Sequence, residues 1–166
     1  MSREVNTMKL PPDVEFYEDV RLLVWTPRGL LNQTAVNKIT TVVGELEFSL
    51  KEPFNRFADT LAADAHDLNF EYIIRVSLYR RHVYAGRPPV KSVILATDST
   101  LVHYGKVHAL LTQGSPINVR VFRDRKEAAQ WLDVPIDLLT AEPARAKHPY
   151  DQKDQSKKGN PNEASS

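Results

Sequence analysis

The sequence contains no cysteine, and six of its 166 residues are glycine. The absence of cysteine excludes disulfides, thiolate nucleophiles and cysteine-based zinc sites. The scarcity of glycine leaves little room for anion-binding loops built from the backbone. Neither a Gly-rich phosphate loop nor a Gly-x-Ser-x-Gly nucleophile elbow occurs. These absences favour a protein that is not an enzyme and that holds no cofactor and no metal ion.

The sequence also lacks an excess of charge of one sign. It contains 22 Lys and Arg and 21 Asp and Glu, which gives a net charge of +1. This balance gives no indication of a nucleic-acid partner. Long apolar runs are missing as well: none approaches the roughly 18–20 residues of a membrane span, and the N-terminus lacks the apolar core of a signal peptide. We therefore expect a cytoplasmic protein without a transmembrane segment.

The chain divides into three parts by composition. Residues 1–13, with the Pro11–Pro12 pair, predict a flexible leader. Residues 14–140 alternate between strand and helix patterns and predict one domain. Residues 141–166 carry mixed charges and no apolar periodicity, so they predict a disordered polar tail that cannot bury enough surface to offset its ordering entropy.

Within the domain, the patterns predict an α/β fold. The predicted elements are, in chain order, a hairpin over 14–25 that pivots on Glu18 and Asp19, a turn over 26–32, a helix capped by Asn32 or Thr34 and ending near Leu50, a strand over 54–61, a polar loop over 64–69, a helix over 70–86, a strand over 90–97, a helix over 101–112 capped within 98–100, a strand over 117–122 and a helix starting at Asp124. Strands separated by helices require crossover connections, which indicates a mixed, mostly parallel sheet of about five strands packed by about four helices. Ligands of such sheets usually bind outside the carboxyl ends of the strands.

The last strand and helix carry a family resemblance. The strand ends in "VRVF" (119–122), a charged cap follows, and the helix reads "EAAQWL" (127–132). This unit, closing a β-α-β-α chain, resembles the SpoIIAA-like branch of the STAS superfamily over about residues 20–139. The superfamily includes bacterial anti-sigma-factor antagonists, and this branch has been compared with CRAL-TRIO lipid-carrier domains. The resemblance implies a STAS-like fold and a bacterial binding or regulatory module.

Regulatory members of that superfamily carry an Asp, a second Asp eight residues later, and then Ser-x-Gly, whose Ser accepts phosphate from a partner kinase. Asp59 and Asp67 match this spacing, but Leu68 replaces the Ser and Phe70 the Gly. Leucine has no hydroxyl, so the resemblance implies that the phosphorylatable serine is absent. The candidate ligand-binding residues of this segment are Asp59, Thr60, Asp67 and Asn69, of which Asn69 could equally cap a helix.

A second candidate contact is "DST", which comprises Asp98, Ser99 and Thr100. It follows the most apolar strand and opens a helix, so free amides and two hydroxyls could face a ligand crevice. The alternative interpretation is that these residues cap the helix.

A local basic cluster lies on the second helix and just after it, at Arg75, Arg80, Arg81 and Arg87. Cations near a helix C-terminus are favoured by the helix dipole. The functional alternative is a surface that docks an anionic membrane, a lipid headgroup or an acidic partner. Apolar residues off the main stripe of this helix could also mark the face of a homodimer.

Four functional hypotheses follow. The first is a non-catalytic binding or regulatory module with an unknown protein partner or a small hydrophobic ligand. The second is a carrier or sensor of a lipid or other hydrophobic molecule, which requires a large apolar cavity under the second helix. The third is a kinase-dependent partner switch that would use Thr60. The fourth is a small hydrolase or isomerase, which requires a pocket with a perturbed His or carboxylate.

Overall fold

The computed structural model of the protein describes residues 9–140. The predicted tail over 141–166 and the first residues of the predicted leader lie outside this range. Residues 9–13 of the leader contact the domain. Leu10 packs against the core, and the Asp13 carboxylate accepts a hydrogen bond from Nε1 of Trp25 at 3.0 Å.

The helices and strands occupy most of the described range. In chain order they are β1 (Val14–Tyr17), β2 (Leu22–Trp25), β3 (Gly29–Asn32), α1 (Gln33–Leu50), β4 (Asn55–Asp59), β5 (Ala63–Asp67), α2 (Phe70–Tyr84), β6 (Val90–Leu95), α3 (Ser99–Leu111), β7 (Ile117–Phe122), α4 (Arg125–Leu132) and α5 (Asp137–Thr140). A single 3-10 turn, Thr60–Ala62, separates β4 from β5.

The main sheet has five strands in the order β1-β2-β4-β6-β7. β1 and β2 form the predicted antiparallel hairpin, whereas β2, β4, β6 and β7 run parallel. Parallel neighbours need a crossover connection, and α1, α2 and α3 supply it. The prediction of a mostly parallel α/β sheet is therefore confirmed.

A second, two-stranded parallel sheet joins β3 to β5. The sequence interpretation of a turn over 26–32 and of a polar loop over 64–69 is wrong in these places. Both strands are short; β3 begins with Gly and ends with Asn, and β5 contains two Ala and two Asp, which are residues of low strand propensity. They form because they pair with each other and because Leu31 enters the core, where it is 3% exposed.

The main sheet is covered on both faces. Side chains alternate along a strand, so neighbouring residues of β2 and β4 reach different helices. The side chains that face α1, α2 and α3 are Leu23, Trp25, Arg56 and Ala58. The side chains that face α4 and α5 are Leu22, Val24, Phe57 and Asp59.

The predicted helix caps are confirmed. Asn32, and not Thr34, caps α1 by accepting from the amide of Ala35 at 3.0 Å. Asn69 accepts from Tyr72 N at the start of α2. The caps of α3 and α4 are Asp98 and Asp124. Each such cap satisfies an amide that has no partner within its helix and contributes about 1 kcal/mol.

α3 approaches β7 closely at Gly105. A Cβ at this position would lie 2.6 Å from Cγ2 of Val121. We expect Gly105→Ala to destabilise the protein by about 1–2 kcal/mol, because an overlap with a stiff β-branched side chain costs about 2–3 kcal/mol while the better helix propensity of Ala returns about 1 kcal/mol. Urea denaturation should show this loss, and Val121→Ala in the same chain should recover it. A Gly105→Ala variant that is as stable as the parent would contradict the close approach.

Candidate ligand-binding cavity

A cavity of about 540 Å³ lies between the sheet and the helices α1, α2 and α3. Its size is typical of sites that enclose small molecules, which have volumes of roughly 300–1,000 Å³. The aliphatic and aromatic side chains of its wall include Leu23, Trp25, Val36, Ile39, Val43, Leu68, Ile73, Val76, Val83, Ile94 and Leu101. The cavity therefore lies on the face of the sheet that α1, α2 and α3 cover, whereas the expected crevice lies beyond the carboxyl ends of the strands.

The face of α1 toward the cavity follows helical spacing. It comprises Val36, Ile39, Thr40, Val43, Gly44, Glu47 and Phe48, which recur at intervals of three and four residues. Gly44 leaves a gap in this face, since a Cβ there would meet no atom within 4 Å. Phe48 of α1 and Tyr79 of α2 also line the cavity and are 82% and 55% exposed. They mark a mouth that opens between the two helices.

Two tyrosines of α2 join it to α1. The hydroxyl of Tyr72 donates to Oδ1 of Asn37 at 2.6 Å. The hydroxyl of Tyr84 donates to Oε1 of Glu47 at 2.9 Å. These contacts tie the helices near the two ends of the cavity, and the apolar wall lies between them.

The polar end of the cavity is built around Glu47. Arg56 donates through Nη2 to Oε2 of Glu47 at 3.2 Å and through Nη1 to the hydroxyl of Tyr84 at 2.9 Å. Nη1 of Arg87 lies 3.7 Å from Oε1 of the same carboxylate. Burial raises the pKa of Tyr84, so its hydroxyl keeps the proton that it donates to Glu47.

A second network of polar side chains links α2 to α3. Ser77 Oγ donates to the carbonyl of Ile73 at 2.6 Å, so it accepts from Nδ1 of His108 at 2.6 Å. Nε2 of His108 then accepts from Nη1 of Arg80 at 3.0 Å. Burial, helped by the charge of Arg80, lowers the pKa of His108 to about 3. Burial also lowers the pKa of Arg80 to about 10, so at neutral pH the histidine is neutral and the arginine is charged.

The hydrogen bond between Ser77 and His108 runs in the wrong direction for a nucleophile and its base. In such a pair the imidazole accepts the proton of the serine, and an acceptor such as a carboxylate orients the other ring nitrogen. Here Ser77 gives its proton to a backbone carbonyl, and the group behind the imidazole is the donor Arg80. The perturbed His required by the hydrolase hypothesis is present, but its hydrogen bonds do not prepare it to activate Ser77.

The predicted ligand residues of the Asp59–Asn69 segment separate in the structure. Asp59 lies on the opposite face of the sheet, where its carboxylate accepts from Arg125 Nη2 at 2.6 Å. Thr60 lines the cavity and donates to the carbonyl of Leu95 at 2.6 Å. Asp67 is exposed at the end of β5, and Asn69 is exposed at its cap position.

The Asp98–Thr100 segment lies outside the cavity wall. Asp98 accepts from the amide of Leu101 at 3.0 Å, and this hydrogen bond lowers the pKa of its carboxyl. Its Oδ2 atom also lies 3.2 Å from Nε2 of His66. Ser99 and Thr100 are exposed in the first turn of α3.

The four predicted basic residues point in different directions. Arg80 and Arg87 line the cavity, and Arg80 is half-buried. Arg75 lies over the ring of Tyr72, 5.8 Å from its centroid. Arg81 donates to the carbonyl of Leu111 at 3.2 Å.

Sequence reasoning missed Glu47, Arg56, Tyr84 and His108. Two of them carried a usable signal. Arg56 takes the inward position between Phe54 and Ala58, two apolar residues of the same face, and Glu47 falls on the apolar stripe of α1. A charged residue at such a position needs a partner, and each is the other's partner.

Within residues 9–140, no helix combines the length and apolar character needed to cross a membrane. In the same range, no three His, Asp or Glu side chains come together in a way that could hold a metal ion.

No protein-family model and no curated protein matches the chain. Among solved structures, it is similar to an uncharacterized protein of the DUF3478 family from Shewanella loihica PV-4, which is described as having a SpoIIAA-like fold. The two share 16% sequence identity with a TM-score of 0.47, over 72% of this chain and 90% of that one.

Proposed function

We propose that the protein is a non-catalytic binding module that holds a lipid or another small hydrophobic molecule in the cavity between α1 and α2. The observation that supports this function is the apolar wall around about 540 Å³. Protein interiors are normally packed with few voids larger than a water molecule. An apolar space of this size therefore favours a binding role over a purely structural one.

The mouth of the cavity supports reversible binding. Phe48 and Tyr79 are large side chains on the rim that are largely exposed. A ligand that enters between them contacts helices and does not disturb the hydrogen bonds of the sheet. Carriage or sensing of the ligand fits this arrangement better than a buried structural site would.

The segment that resembles a phosphorylation motif also favours binding. Leu68 stands at the position of the phosphorylatable serine and lines the cavity. Thr60, the neighbouring hydroxyl, donates to a backbone carbonyl. A kinase-dependent switch therefore has less support here than an apolar ligand.

Native mass spectrometry of the protein purified from its own host tests this function directly. We expect an added mass that is lost when the protein is denatured. Displacement of that molecule should allow the protein to bind Nile red, an apolar fluorescent probe. A protein that carries no added mass and binds no Nile red would contradict the proposal.

Blocking the mouth provides a matched pair of variants. We expect Gly44→Trp to weaken Nile red binding at least tenfold, a change of about 1.4 kcal/mol, because the indole extends into the open space beside Gly44. Glu45→Trp places the same side chain one position away, outside the cavity wall, and should bind the probe like the parent. Equal binding by all three proteins would show that the probe binds elsewhere.

A further inference from the structure

We propose that the ligand is an amphipathic carboxylate, with its head group at Arg80 and Arg56 and its apolar chain directed toward Trp25 and Leu68. This inference rests on the proposed function and names the chemical class of the ligand. The inference is supported by the charges and hydrogen bonds of the residues that line the cavity, and by the length of the cavity.

The charges of the cavity wall do not balance. Glu47 is the sole carboxylate among the described lining residues, and the guanidiniums of Arg56, Arg80 and Arg87 face it. Glu47 forms ion pairs with Arg56 and Arg87. Within residues 9–140, Arg80 forms no ion pair within 4.0 Å; it donates to the neutral imidazole of His108, and Glu47 and Tyr84 act on its charge from farther away. A half-buried cation with no carboxylate in contact is unfavourable, and one bound anion would compensate it.

Arg56 supplies a second positive charge next to that anion. Its residue is 5% exposed and lines the cavity. Its Nη atoms are engaged by Glu47 and Tyr84, whereas its buried Nε has no hydrogen-bond partner. The charge of Arg56 also acts on Arg80 and contributes to its lowered pKa. An anionic oxygen at Arg80 would reduce the repulsion between the two guanidiniums, and it would reach Nε of Arg56 only after a shift of this side chain, because that atom is closed to solvent.

The cavity has one polar and one apolar end. Arg56 lies near the start of β4, whereas Thr60, Leu68 and Trp25 lie toward the carboxyl ends of the strands. Along β4, Arg56 and Thr60 are separated by roughly 13 Å at about 3.3 Å per residue. This shape fits a molecule with a single charged end and an apolar chain. A carboxylate matches the planar guanidinium geometry and carries the single negative charge that Arg80 lacks.

The test compares three probes of equal chain length on the full chain: dodecanoate, dodecan-1-ol and dodecylammonium, each below its micellar concentration. Their affinities are measured by displacement of Nile red. We expect dodecanoate to bind about ten- to a hundredfold more tightly than dodecan-1-ol, the usual gain from a charge-assisted hydrogen bond. Dodecylammonium should bind more weakly than the alcohol, since the arginines repel it.

Arg80→Met keeps an apolar stem of similar length and removes the charge. We expect this variant to bind dodecanoate and dodecan-1-ol about equally. Arg81→Met, which removes the neighbouring guanidinium outside the cavity wall, should keep the preference of the parent. Circular dichroism verifies the fold of each variant, and the comparison of the three probes on the parent protein needs no variant.

The outcomes separate the two proposals. If the parent protein binds dodecan-1-ol or dodecylammonium as tightly as dodecanoate, the carboxylate inference is wrong and the apolar cavity stands. If Arg80→Met keeps the preference for dodecanoate, the assignment of the head group to Arg80 is wrong. If none of the probes binds and Nile red does not bind either, the proposed function fails and the inference fails with it.

Discussion

Glu47→Gln should lower the free energy of unfolding by about 3–5 kcal/mol, the usual effect of removing one partner of a buried ion pair. The Glu47 side chain is 15% exposed and its partner Arg56 is 6% exposed. Gln keeps the shape of the side chain and loses its charge. Arg56, Arg80 and Arg87 would then line the cavity without any carboxylate from the described residues.

Urea denaturation at pH 7 measures this effect. The matched control is Glu45→Gln, on the exposed side of α1, which should change stability by less than about 0.5 kcal/mol. A loss below about 1 kcal/mol in Glu47→Gln would mean that water screens the cluster as it screens a surface ion pair. In that case the charge imbalance around Arg80 would be unimportant as well.

His108 should make the protein sensitive to acid between pH 6.5 and 3. Its pKa is 6.5 in an ordinary environment and about 3 in the folded protein. Between these values the unfolded chain binds a proton that the folded protein does not. Stability is therefore unaffected by His108 above pH 6.5 and falls as the pH is lowered, by up to about 1.4 kcal/mol per pH unit. Below about pH 3 the folded protein binds the proton too, and the dependence ends.

The variant His108→Gln removes this titration while its oxygen can still accept from Arg80. Carboxylates titrate in both proteins, so the informative quantity is the difference between the two slopes of unfolding free energy between pH 6 and 4.5. We expect the variant to have the shallower slope. Identical slopes would mean that His108 is accessible to solvent and protonates in the folded state.

The local features of the fold were predictable from the sequence because each depends on a few neighbouring residues. Asp98 and Asp124 precede apolar helical patterns, and both are caps. The β3–β5 pairing was not predictable, since neither strand carries a pattern of its own and each is stabilised by a partner more than thirty positions away. In physical terms, the information lies in the pairing and not in either segment.

The candidate site was harder to predict for the same reason. Glu47, Arg56, Arg80 and His108 lie on different elements, and they meet only in the folded domain. Adjacent arginines illustrate the difficulty. Arg80 and Arg81 differ by 100° around the helix axis, so one reaches His108 and the other reaches Leu111. The sequence predicted the basic character of this helix, and it could not tell which of its cations lines the cavity.

The two tyrosine hydrogen bonds between α1 and α2 have a consequence for the shape of the ligand. The hydrogen bonds of Tyr72 and Tyr84 hold α1 and α2 together near both ends of the helix pair. Between these hydrogen bonds, Gly44 leaves free space beside α1, so a ligand can fit there. At the hydrogen bonds themselves, the two helices resist separation. We therefore expect the protein to select ligands by their cross-section. A slender chain can pass between α1 and α2, and a broad, rigid ring system of the same volume cannot.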